Sequence, residues 1–356
     1  MSVSPYGLSV RGLSLSLGDF SMRNVSFHVA PGEILVIVGP SGSGKSTLLQ
    51  AISGLIRSSG SVYIDARDVS RIPPEHRETG MVFQYPVLFP RLSVRENIGY
   101  GLDDTRLKDS KRDDLIDIAM ANMNISGLAD ARPATLSGGQ SQRVALAQSL
   151  VRRPRVLLLD EPLSHVEVAL RREIRRDVRE QVGRGRLAAV YVTHDLEDAF
   201  LIADRVAVMR HGRIVQVDTP MSVYRRPGSR FIAELLGQEN ILAAMVVARP
   251  DDRHAKVRLG RGEYTIPCVP SLRLGPAVVV LPPESLILHA APEQSEIIGS
   301  MGQVIGSAFA GSRTQTEIEM EIGTLVAHEW DQDAPRRVGD RVQVDLRTER
   351  GWVMEN

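Results

Sequence analysis

The chain carries a single cysteine, Cys268, few aromatic residues at 4%, and no surplus of either charge, with 43 Lys plus Arg against 43 Asp plus Glu. One cysteine excludes an internal disulfide and a multi-cysteine metal centre, fits a reducing compartment, and is expected to be buried as a small hydrophobe. Balanced charge leaves no global field to hold the chain on nucleic acid or an anionic membrane, so any anion site must be local. The longest apolar runs, Ile34 to Val38 and Ile241 to Ala248, fall far short of the ~20 residues that span a bilayer. Residues 1–13 lack the basic start and long apolar stretch of a secretory leader, so the start reads as cytoplasmic. A function at a membrane would need other chains to do the spanning.

What is present is enough for two domains: 356 residues, 43% hydrophobic and 24% charged, which are ordinary globular values. The run Ile34-Leu35-Val36-Ile37-Val38, between Gly32 and Gly39, reads as a strand buried on both faces. Val156 to Leu159 and Ala188 to Val192 have the same character and alternate with helical stretches, which predicts a largely parallel α/β sheet. Helical patterns from Asp113 to about Ile125, and again after Gly139, make residues 85–153 a mostly helical insert. Thr219-Pro220 starts a helix that Pro227 stops, and a further short helix is expected near Phe231 to Leu236. Past Gly237 the texture turns to short alternating stretches such as Ala277 to Leu281, Thr316 to Met320 and Arg341 to Val344. The expected division is an α/β domain over 1–237 and a small all-β barrel of the oligonucleotide-binding type over 238–356.

Gly39-Pro40-Ser41-Gly42-Ser43-Gly44-Lys45-Ser46, followed by Thr47, fits the P-loop pattern and lies between a predicted strand and a predicted helix. Its glycines let backbone N–H groups curl around phosphate oxygens, Lys45 reaches the β- and γ-phosphates, and Ser46 ligates Mg²⁺. Val156-Leu157-Leu158-Leu159-Asp160-Glu161 is a buried strand ending in two carboxylates. Asp160 is placed to hold the metal and Glu161 to orient the attacking water, because the protein's work in phosphoryl transfer is positioning and charge stabilisation. ATP and Mg²⁺ are the cofactors these residues imply.

Leu136-Ser137-Gly138-Gly139-Gln140, running into Ser141-Gln142-Arg143-Val144-Ala145-Leu146-Ala147, resembles the signature of ABC ATPases. Physically it is a second phosphate cradle, a serine hydroxyl and glycine N–H groups at a helix start. Two cradles in one chain make sense if each ATP is sandwiched between the first cradle of one copy and the second of its partner. The resemblance spans residues 1 to about 237. It implies that Gln84 contacts magnesium and water and relays the nucleotide state, that Phe89-Pro90 and Leu92 to Ile98 face a transmembrane partner, and that His194 bonds the γ-phosphate.

Two positions depart from the family pattern. Glu167 stands where aspartate is usual, in Ser164-His165-Val166-Glu167, and no aromatic occupies the adenine-stacking place around Ser16 and Leu17, where Phe20 is nearest but suits the core better. The arginine run from Arg171 to Arg179 is read as the solvated face of a helix whose stripe is Leu170, Ile174 and Val178, with Glu173, Asp177 and Glu180 interleaved.

Residues 212–240 resemble the junction by which importer ATPases join a C-terminal regulatory β-domain, and Gly237 to Leu242 is most similar to the ferric-iron and polyamine groups. Leu281-Pro282-Pro283-Glu284 lacks the arginine usual before the Pro-Glu pair. The resemblance therefore implies an importer ATPase energising uptake of ferric iron or a polyamine, with sugar, sulfate or molybdate importers and soluble non-transport ABC ATPases as alternatives. Its expected partners are a second copy of itself, transmembrane permease subunits and, indirectly, an extracytoplasmic solute-binding protein, with no nucleic acid. Its expected place is the cytoplasmic face of the membrane.

Overall fold

The computed structural model describes residues 6–102, 108–185, 187–290, 301–330 and 336–355. Residues 1–5, part of the segment read for a leader, lie outside them. The chain divides into two units, Met1–Pro220 and Met221–Asn356.

The first unit opens with β1 (Leu8–Leu17), β2 (Phe20–Val29), β3 (Ile34–Val38), α1 (Lys45–Ser53), β4 (Ser59–Ile64), β5 (Arg67–Asp68) and β6 (Thr79–Val82). The helical part follows as α2 (Val94–Tyr100), α3 (Asp109–Asn122) and α4 (Gly138–Leu150). Then come β7 (Val156–Asp160), α5 (Val168–Gly185), β8 (Ala188–Val192), α6 (Leu196–Ile202), β9 (Arg205–Arg210) and β10 (Arg213–Asp218). One sheet has the order β10-β9-β3-β8-β7-β6, parallel except for β10. All residues of β3, β7 and β8 are buried, as expected of strands covered on both faces. Each fully buried Val, Leu or Ile there contributes about 1.5–3 kcal/mol.

Sequence periodicity did not distinguish a second sheet, β2-β1-β4-β5, which is antiparallel. Its inward residues Leu8, Val10, Leu13, Met22, Val25 and Val62 share one core with β3, α1 and β8. Two helix starts also differ from the pattern. α3 begins at Asp109, before its apolar positions. α4 begins at Gly138, because Ser137 and Gln140 form a reciprocal capping box.

The second unit begins within α7 (Pro220–Arg225) and continues with α8 (Arg230–Leu235), then β11 (Asn240–Ala248), β12 (His254–Leu259), β13 (Gly262–Pro267) and β14 (Gly275–Leu281). It closes with β15 (Leu286–Ala290), β16 (Met301–Phe309), β17 (Arg313–Met320), β18 (Gly323–Trp330), β19 (Arg341–Leu346) and β20 (Trp352–Met354). These strands form two five-stranded antiparallel sheets, β13-β12-β11-β14-β20 and β15-β19-β16-β17-β18, with one shared apolar core. Cys268 is part of that core. Asn240 stitches the two sheets together. Its Nδ2 donates to Leu281 O at 3.0 Å and Val326 O at 2.8 Å, while Oδ1 accepts from Val326 N at 2.7 Å.

Candidate functional site

Because β3, β8, β7 and β6 are neighbours and parallel, the loops leaving their carboxyl ends lie side by side. In open α/β sheets that edge is where ligands bind. The loops carry, in spatial order, the Gly39–Lys45 turn, His194, Asp160 with Glu161, and Gln84. Stretches up to 155 residues apart in sequence are thus brought together by strand order alone.

The first cradle is built to leave donors free. α1 has no side-chain cap at its start, so its first backbone N–H groups point into the turn. Gly44 sits at φ 101°, a left-handed conformation open to glycine, and a Cβ there would come within 2.3 Å of the Phe20 ring. Phe20 thus packs beneath the cradle from the start of β2. Pro40, Ser41, Gly42 and Ser46 are exposed, whereas the Ser43 hydroxyl is buried and has no hydrogen-bond partner. A buried hydroxyl without a partner costs about 1–3 kcal/mol, and a phosphate oxygen would satisfy it. Lys45 is buried and its Nζ donates to Gly39 O at 2.9 Å and Pro40 O at 3.1 Å. Burial lowers its pKa, and the charges of Glu161 and Asp160 oppose that shift.

Ser46 Oγ donates to Asp160 Oδ1 at 2.8 Å. Burial raises the Asp160 pKa, with the Ser46 hydrogen bond pulling the other way. A serine hydroxyl beside a buried carboxylate suits a hard, oxygen-seeking cation. No cluster of three or more His, Cys, Asp or Glu able to hold a metal occurs among the described residues.

Glu161 has a left-handed backbone, φ 46°, at a cost of about 1–3 kcal/mol for a non-glycine residue. Its N–H donates to Val192 O at 2.9 Å, which anchors it to the end of β8. Its Oε2 accepts from Gln84 Nε2 at 3.2 Å and lies 3.0 Å from His194 Nδ1. His194 is well exposed, at 64%, while Glu161 is 18% exposed. The carboxylate is therefore held from two sides and leaves Oε1 for a further partner.

Ser137, Gly138, Gly139 and Gln140 lie elsewhere. Ser137 Oγ accepts from Gln140 N at 3.3 Å, and Gln140 Oε1 accepts from Ser137 N at 2.9 Å. Among the described residues, no hydrogen bond joins 137–140 to 39–47. A Cβ at Gly139 would come within 1.9 Å of Leu170 Cδ2 in the same chain, so a larger residue there would force the Leu170 side chain to move. A cleft of about 1080 Å³, lined by residues including Leu115, Ile118, Leu150, Arg153 and Arg155, contains none of the residues of either cradle.

Several polar residues here escaped the sequence reading. The solvated-face reading of the arginine run is corrected at two positions: Arg171 and Arg175 are half-buried and pair with Asp195 and Asp198, while Arg179 pairs with Asp204 and stays exposed. Asp177 is buried rather than solvated and faces Arg143 of α4 at 3.5 Å. Burial raises its pKa, against the nearby Arg143 charge. The signal available was the four-residue spacing of the arginines, which marks one helix face but does not say what covers it. His165, beside Glu167, stacks on Tyr85 with ring centroids 4.5 Å apart.

A phosphate-binding turn after a buried strand, opening a helix and facing a strand-end carboxylate, defines a P-loop nucleotide-binding protein. Residues 22–164 match the family model described as ABC transporter. A ferric-iron import ATP-binding protein FbpC from Agrobacterium fabrum is 36% identical over 327 residues, covering 91% of this chain and 91% of that protein. A spermidine/putrescine import ATP-binding protein PotA from Methylococcus capsulatus is 39% identical over 323 residues, covering 89% and 83%. The solved structure of cbiO1 from Clostridium perfringens, part of the ABC transporter complex cbiONQ, superposes with a TM-score of 0.58 at 30% identity, covering 62% of this chain and 91% of that one. The chain belongs to the ABC transporter family as an ATP-binding protein, and it is an ATPase of that family.

Proposed function

We propose that this chain is the ATP-hydrolysing subunit of a binding-protein-dependent importer of ferric iron or a polyamine. The observation that carries the hydrolytic reading is the Glu161 carboxylate, held by Gln84 and His194 next to the Ser46–Asp160 pair. Lys45 and the backbone N–H groups of the turn from Ser41 to Thr47 take the phosphates. Ser46 and Asp160, with Gln84 nearby, would hold Mg²⁺, which supplies charge neutralisation at the phosphates when bound. Glu161 orients and polarises the attacking water, and His194 keeps that carboxylate turned toward the γ-phosphate.

Ser137, Gly138, Gly139 and Gln140 serve the nucleotide held by a second copy, so the working unit is a dimer. No described helix is long and apolar enough to cross a membrane. Permease subunits would do the spanning, with this chain on their cytoplasmic face. The names of the FbpC and PotA relatives support the cargo class.

The test is Glu161→Gln in the full-length protein. It preserves size and much of the hydrogen bonding, so ATP binding should persist while kcat falls by about 10²-fold or more. ATP should then drive a dimer that ADP does not, as read by light scattering. Near-normal hydrolysis would remove Glu161 from the mechanism.

A further inference from the structure

We infer that Arg171 is a positioning residue for ATP hydrolysis: it ties the loop 164–167 to the segment carrying His194, so that the two are displaced together. The inference rests on the assignment of Glu161 and His194 given above. Arg171, in the first turn of α5, donates from Nε to Val166 O at 3.0 Å and from Nη1 to Asp195 Oδ2 at 2.9 Å. Asp195 directly follows His194, and its other oxygen accepts from Asp198 N at 3.1 Å, which caps α6. One planar guanidinium therefore spans two loops, and neither partner is freely exposed, at 25% and 30%.

The fixed fork of arginine suits this bridge, because its donors diverge in one plane and cannot reorient independently. The pairs Arg175–Asp198 and Arg179–Asp204 continue along the same helix face, but of the three arginines only Arg171 reaches the 164–167 backbone. That loop is also where other parts of the site meet. A Cβ on Gly138 would come within 3.0 Å of His165 O, and Tyr85, next to Gln84, stacks on His165. A shift of the loop would reach His194 through Arg171 and Asp195, and so reach the Nδ1 that lies 3.0 Å from Glu161.

The experiment compares Arg171→Gln, Arg171→Lys, Asp195→Asn and the double variant Arg171→Gln/Asp195→Asn in the full-length chain with Mg-ATP. Glu161→Gln and Arg179→Gln are the controls. Displacing a group by about 1 Å can cost 10²-fold, and a loosened brace should cost less, so kcat should fall about ten-fold in each Gln and Asn variant. KM for ATP should stay within about two-fold, since the cradle is untouched. Lysine keeps the charge but offers one nitrogen, so it should fall between wild type and Arg171→Gln. The double variant should be no slower than the slower single, as expected for two groups in one bridge.

Arg179→Gln, which breaks an ion pair of the same kind without touching 164–167, should keep its kcat. Unchanged kcat in Arg171→Gln and Asp195→Asn, additive losses in the double variant, or an equal loss in Arg179→Gln would each overturn the inference. If Arg171→Gln does not fold, Arg171→Lys and Asp195→Asn decide by the same kcat and KM split. An inactive Glu161→Gln with normal Arg171 variants sinks the brace alone, whereas an active Glu161→Gln sinks the hydrolytic assignment and the brace with it.

Discussion

In the C-terminal β unit, two buried polar side chains use up their bonding capacity, although others there, such as Ser307 Oγ, have no partner. Asn240 satisfies both ends of its amide on Leu281 and Val326, and the buried Glu329 is matched by Arg336 at 2.7 Å and Thr316 at 3.0 Å. At the carboxyl edge of the parallel sheet the accounts are left open: the Ser43 hydroxyl has no partner, Lys45 rests on two loop carbonyls, and Glu161 holds a left-handed backbone. Complete satisfaction builds a scaffold with one preferred arrangement. Incomplete satisfaction leaves donors and charge ready for a ligand.

The comparison breaks most visibly at Lys45. Lys45→Ala removes the charge that meets the β- and γ-phosphates, and turnover should drop by about 10²–10³-fold while the circular dichroism spectrum keeps its shape. Undiminished hydrolysis by the folded variant would contradict the open-cradle reading.

Asn240→Ala probes the opposite pole. It strands two carbonyls and an amide between the sheets, at a cost of about 1–3 kcal/mol for each group left unsatisfied. Both tryptophans, Trp330 and Trp352, lie in the C-terminal unit, so denaturation followed by tryptophan fluorescence reports on that unit. The fluorescence midpoint should fall while ATP affinity at saturating Mg²⁺ stays within about two-fold. Loss of nucleotide binding at denaturant-free conditions would show that the two regions are not separable in this way.

The smallest effect is expected at the Tyr85–His165 stack. Such ring pairs are worth about 0.5–1.5 kcal/mol, and Tyr85 is 66% exposed, so Tyr85→Ala should change kcat by no more than about three-fold with melting temperature nearly unchanged. A loss as large as that of Lys45→Ala would move Tyr85 into the chemistry and blur the division between cradle and support.

Legibility in the sequence followed how local each requirement is. The turn from Gly39 to Thr47 could be read directly because wrapping a phosphate makes demands on consecutive backbone positions. Asp160 and Glu161 could be read because a buried strand that ends in two carboxylates needs a reason. The short strands past Gly237 were legible from the change in periodicity there, although the antiparallel sheet of β1, β2, β4 and β5 was not. Asp177 looked like a solvated charge because nothing nearby in sequence reveals that Arg143 of α4 covers it.

The sequence by itself determined the buried strands of the parallel sheet, the phosphate turn and the identity of the carboxylates, since each depends on residues within a few positions of one another. Tertiary structure decided which distant groups became neighbours. The order β3-β8-β7-β6 sets His194 and Gln84 on either side of Glu161, and the packing of α5 on α6 turns a run of arginines into a brace. A hydrogen bond needs its partners within about 3 Å, and in a folded chain that distance is set by how whole elements pack rather than by sequence separation.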